Sequence, residues 1–132
     1  MTVIAIRELA KHYGPVRAVD GASLSVATGE IYALLGLNGA GKTTTIRVLL
    51  GMIAPTSGSV SLFGQPVSPS AQDLWAQVGY LVETPAAYPE LTVTENLRVT
   101  ARLKHVAPHA VGDIIDRLGC TSTRTGGRAT CP

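Results

Sequence analysis

The chain has 132 residues, 45% of them apolar and 15% charged, with a formal net charge of +2. That length holds one domain at most, the apolar fraction suffices for a core, and so small and scattered a charge gives no nucleic-acid footprint. No apolar run approaches the roughly 20 residues of a membrane helix, and charges interrupt the N-terminal stretch where an export signal needs a continuous apolar segment, so a cytoplasmic protein is expected.

In chain order, Val3–Ile6 reads as a strand. Ser23–Ala27 alternates in character, as a half-exposed antiparallel strand does, and a turn at Thr28-Gly29 follows. Ile31–Leu35 is a continuous apolar run and reads as a buried strand. Thr43–Met52 carries Ile46, Leu49 and Leu50 at helical spacing. Pro55–Gly58 ends it, and Ser59–Gly64 is a short strand. Ser70–Gln77 is expected as a helix around Leu74 and Trp75, and Val78–Thr84 as another strand before a loop. Thr92 with Glu95 forms a capping-box pattern for a helix reaching about His105. A last helix stops at Gly119. From there to Pro132 no periodicity remains, and both cysteines, Cys120 and Cys131, lie in that tail. Their spacing fits no metal motif.

Between the apolar run and the first helix stands "GLNGAGKTT". Gly36, Gly41, Lys42 and Thr43 fit the phosphate-loop pattern. A polyphosphate needs many donors converging on its oxygens. Backbone N–H groups supply them where glycines remove side chains and permit positive φ. The helix start aims further N–H groups and its positive dipole end at the same place. Lys42 adds a point charge for the β- and γ-phosphates, and Thr43 a hydroxyl for Mg²⁺.

The stretch "GLNGAGKTTTIRVLLGMIAPTSGSVSLFGQPV" resembles the nucleotide-binding domain of ABC transporters. Asn38, Ala40, Thr44, Pro55, Thr56, Gly58, Val60 and Gly64 fill the family's further motif positions. The resemblance implies an α/β fold: a P-loop NTPase core with an N-terminal antiparallel β subdomain, here truncated within the helical subdomain. It implies that Gly36, Asn38, Gly39, Ala40, Gly41, Lys42, Thr43 and Thr44 hold the phosphates of ATP. Tyr13 sits where the family stacks an aromatic on adenine. Where the family has a glutamine contacting Mg²⁺ and the attacking water, this chain has Glu83. A carboxylate still binds Mg²⁺ but has no N–H to orient water. Glu83 with Pro85 and Tyr88 resembles the subgroup exporting peptide antibiotics and other drugs. The implied partners are a transmembrane permease subunit and a second ATPase subunit, with the protein peripheral on the inner face of the cell membrane and no nucleic acid bound.

The resemblance covers residues 1–119. Residues 120–132 fall outside the pattern, and a frameshift after Gly119 is one expectation for their origin. The family's signature loop, its strand ending in Asp-Glu and its γ-phosphate-sensing histidine are not found in the chain. His12, His105 and His109 stand elsewhere and read as solvated surface. No catalytic residue is assigned, and little or no ATP hydrolysis is expected of the chain alone. The family's function is ATP hydrolysis coupled to export. The alternatives are an ATP-binding module, which holds ATP or inhibits a complete subunit, or an inactive truncated protein. A soluble ABC ATPase of repair or ribosomes stands behind these. A P-loop kinase is disfavoured, because Pro55–Gly58 and the antiparallel strands do not suit one.

Overall fold

The computed structural model describes residues 1–82 and 87–119. The chain divides into two compact units at Leu74/Trp75.

The first unit is a four-stranded antiparallel sheet carrying one helix. β1 (Thr2–Tyr13) and β2 (Val16–Ala27) form a hairpin closed by the Tyr13–Val16 pair, with Gly14 at φ 56° in the turn. β3 (Ser57–Leu62) pairs with the other edge of β1, and β4 (Gln65–Pro66) with β3, giving the order β2-β1-β3-β4. α1 (Lys42–Leu49) covers one face. Val48 from the helix joins Ile6, Leu9, Val19 and Val60 from the strands in the core.

β1 is far longer than the sequence expectation because its two-residue period breaks at a bulge. Ile6 pairs with Leu24 and Leu9 with Ala22, so Arg7 and Glu8 together oppose Ser23. The bulge turns both Ile6 and Leu9 inward at a spacing of three. Glu8 adopts φ 47°, and the Ser23 hydroxyl both accepts from its N–H at 2.8 Å and donates to its carboxylate at 2.9 Å. On the other side of β1, the same bulge brings the Glu8 backbone against Gly58, which lies at φ 85°. A Cβ on Gly58 would strike the Glu8 carbonyl oxygen. The glycine of "PTSG" is therefore required by the irregularity of the neighbouring strand.

Two expected strands are corrected. Ile31–Leu35 is not a strand, and it lies in the open, with Ile31 98% and Leu35 86% exposed. Val78–Val82 is not a strand either, and Glu83 and Thr84 lie outside the described residues. An apolar run becomes a central strand only where flanking strands supply its backbone hydrogen bonds and layers cover both faces. Among the described residues no strand pairs with either run.

α2 (Gln72–Ala76) falls at the division between the units. In the second unit, α3 (Val93–Leu103) starts on the expected capping box. The Thr92 hydroxyl accepts from Glu95 N–H at 3.3 Å, and the Glu95 carboxylate accepts from Thr92 N–H at 2.8 Å. Asn96 fastens the preceding turn, accepting from Tyr88 N–H at 2.8 Å and donating to the Tyr88 and Leu91 carbonyls. At the far end Lys104 donates to the Trp75 and Val78 carbonyls, its Nζ 5.5 Å from the Tyr80 ring centroid. α4 (Ala110–Arg117) packs on α3 and gives way to Gly119 at φ 63°, the expected stop.

Candidate functional site

The phosphate-loop residues form one continuous feature of the first unit. Residues 36–40 are exposed, and α1 begins at Lys42. Gly39 and Gly41 both adopt φ 83°, which L side chains rarely tolerate. Gly41 is constrained twice. A Cβ there would fall on the carbonyl oxygen of Ala18 and lie 3.0 Å from the Val19 side chain. The loop thus rests directly on β2 at the foot of the helix.

No side chain caps α1, and its first turn holds no acidic residue. The first intrahelical bonds run from Thr45, whose N–H and hydroxyl both donate to the Gly41 carbonyl, at 2.8 and 2.9 Å. Helix geometry therefore leaves the N–H groups of Lys42, Thr43 and Thr44 without intrahelical acceptors, beside the positive end of the dipole. The Lys42 ammonium folds over the loop and donates to the carbonyls of Gly36 and, at 2.7 Å, Leu37. Ala40 N–H closes the intervening turn on Leu37 at 3.1 Å. The structure thus brings Gly36 to Thr44 together as one loop-and-helix start.

Tyr13 stands at the end of the β1–β2 hairpin, 49% exposed. Its pairing partner Val16 is two residues from Ala18, on which Gly41 rests. Two strand residues span about 7 Å, so Val16 stands about that far along β2 from the residue that supports the loop. The Lys11 ammonium lies 5.0 Å from the Tyr13 ring centroid. His12 is less solvated than its sequence suggests. Its Nε2 is buried without a hydrogen-bond partner, 3.7 Å from an Asp20 carboxylate oxygen. The Arg17 guanidinium donates to Asp20 at 3.0 Å, and this bond, with its charge, holds the Asp20 carboxyl below the usual carboxylate range. His105 and His109 are exposed, as expected.

Glu83, the second expected metal ligand, lies outside the described residues. Among the described residues no group of three or more His, Cys, Asp or Glu side chains comes together for a metal. Of the two expected metal ligands, Thr43 is the one within the described residues, in the first turn of α1. Among the described residues no helix is long and apolar enough to cross a membrane.

Comparison with known proteins points to one family. The ABC transporter family model matches residues 19–126. The bacitracin transport ATP-binding protein BcrA of Bacillus licheniformis is 40% identical over 119 residues, covering 89% of this chain and 39% of BcrA. The Nod factor export ATP-binding protein I of Burkholderia orbicola (strain AU 1054) is 46% identical over 115 residues, covering 87% of this chain and 38% of that protein. A solved ATP-binding subunit of an ABC transporter superposes with a TM-score of 0.78 at 31% identity, over 88% of this chain and 48% of the other. The chain spans less than half the length of each of these proteins.

Proposed function

The chain belongs to the ABC transporter ATP-binding family, and from that premise we propose that residues 36–44 grip the phosphates of Mg-ATP while Tyr13 stacks on the adenine. The observation that carries this reading is the bare start of α1, with the Lys42 ammonium folded over a glycine loop seated on β2.

The chemistry follows from groups already in place. When a polyphosphate settles at the helix start, the free N–H groups of Lys42, Thr43 and Thr44 donate to its oxygens. Lys42 exchanges two neutral carbonyl acceptors for anionic oxygens, and such charge-assisted bonds are roughly twice as strong. The Thr43 hydroxyl would hold Mg²⁺, which supplies charge neutralisation beside the phosphates when bound. Tyr13 contributes a half-exposed ring on the same strand pair that supports the loop.

In the complete subunit, ATP binding and hydrolysis would drive export of a drug- or peptide-like compound. That subunit would work beside a second ATPase subunit and a transmembrane permease, at the inner face of the membrane. The subgroup rests on the likeness to relatives named for bacitracin transport and Nod factor export. Binding of Mg-ATP to the chain, with and without Lys42→Ala and Tyr13→Ala, tests the site. Loss of affinity in both variants supports it, and unchanged affinity in both rejects it.

A further inference from the structure

Tyr13 does not stand alone at the hairpin tip. Lys11, two residues before it, places its ammonium 5.0 Å from the Tyr13 ring centroid and donates to the Ala54 carbonyl at 2.8 Å. Ala54 belongs to the segment that leaves α1, the helix whose other end carries the phosphate loop. Two more bonds fasten the same pieces. His12 N–H donates to the Thr56 hydroxyl at 2.9 Å, and Thr56 N–H donates to the Ala10 carbonyl at 2.8 Å. The tip of β1 is thereby stitched to residues 54–56.

We infer that Lys11 is a positioning residue for nucleobase binding: it holds the Tyr13 ring from one side and ties it, through Ala54, to the helix that carries the phosphate loop. The inference rests on the reading that Tyr13 stacks on the base. A cation beside a ring is attracted to its π face. Tyr13 remains 49% exposed, so the ring keeps area for a second partner while Lys11 restrains it. A loose tyrosine loses rotamer freedom when a base arrives, and one already restrained loses less. The ammonium is itself anchored, because a neutral main-chain oxygen takes one of its three donors. Lys11 therefore acts through Tyr13 and touches no phosphate.

The test compares ATP with inorganic tripolyphosphate, which has the phosphates but no base. The readout is the ratio of the two dissociation constants for the 132-residue chain. Lys11→Met keeps the stem and removes the charge, and it should cut the preference for ATP about three- to fivefold, the size of an exposed cation–π contact, with tripolyphosphate affinity unchanged. Lys11→Arg retains a cation that stacks on aromatic rings and should retain the preference. Lys11→Gln keeps a donor for Ala54 without the charge, and should fall to the Met value. In a Tyr13→Ala background, Lys11→Met should change nothing further.

An unchanged preference in folded Lys11→Met or Lys11→Gln overturns the inference. So does an equal loss in the Tyr13→Ala background. The underlying reading fails separately: Tyr13→Ala leaving the preference intact rejects base stacking, whatever Lys11 does. Failure of the wild-type chain to bind either ligand overturns both.

Discussion

Gly41 and Ala18 touch so closely that a methyl group on Gly41 would land on the Ala18 carbonyl oxygen. The contact locks the phosphate loop to β2, the strand that also pairs with the segment carrying Tyr13. Gly41→Ala therefore meets two obstacles at once, the clash and a φ of 83°. Left-handed backbone alone costs an L residue about 1–2 kcal/mol. The expected result is a lower melting temperature and at least a tenfold loss of ATP affinity, read by calorimetry.

Gly58 makes the same point away from the nucleotide. Gly58→Ala should destabilise the sheet by more than about 2 kcal/mol, since strain at positive φ and a backbone clash add. Gly64→Ala is the control. It shares a positive φ of 77° but has nothing within 4 Å of the added Cβ, so only the backbone cost of about 1 kcal/mol is expected. Chemical denaturation of both variants checks the difference. Equal losses would place the Gly58 requirement in φ alone and not in the Glu8 bulge.

The capping box of α3 gives a pH signature. Bonds from the Thr92 N–H and hydroxyl hold the Glu95 carboxyl below its usual range. A depressed folded-state value stabilises the fold above the ordinary glutamate range, and that contribution is lost as pH falls through the lowered value. Helix signal should therefore decline on acidification below about pH 4, near the ordinary glutamate value. Glu95→Gln keeps an acceptor for the cap and should flatten this acid decline. Thr92→Ala should cost about 1 kcal/mol at neutral pH. Circular dichroism against pH separates the two.

The run Ile31–Leu37 lies exposed, with Ile31 98%, Leu35 86% and Leu37 86% accessible. Leu35→Lys should thus leave the stability of the chain within about 0.5 kcal/mol, as surface changes do. It should also reduce self-association, since an exposed, uncharged apolar run that belongs to no strand pair is a template for pairing between chains. Sedimentation and denaturation report the two effects. A large stability loss would mean that the run is packed in solution.

The same run marks where sequence reading stops. The glycine loop and the helix start after it were legible because their pattern is local: three glycines, a lysine and a threonine at fixed spacing specify them without help from distant residues. The capping box at Thr92 and the stop at Gly119 were legible for the same reason. Ile31–Leu35 and Val78–Val82 were misread as formed strands because a strand is a property of a pair. The composition of one run says only that it could be buried. The bulge at Glu8 was also hidden, although its trace is visible in hindsight, since Ile6 and Leu9 are three apart where an ordinary strand would place core residues two apart. The bond between Thr56 and β1, and the link from Lys11 to Tyr13 and Ala54, depend on long-range contacts that no local pattern announces.

Equilibrium dialysis of Mg-ATP against the wild-type chain and Lys42→Ala tests the central claim most directly. The Lys42 ammonium donates to the loop's own carbonyls, those of Gly36 and Leu37, so its removal should spare the sheet and strip a charged donor from the phosphates. The expected outcome is saturable uptake by the wild type and about 10- to 100-fold weaker uptake by the variant, the size of a lost hydrogen bond to a charged group. Equal uptake by the two folded proteins, or none by the wild type, would contradict the account.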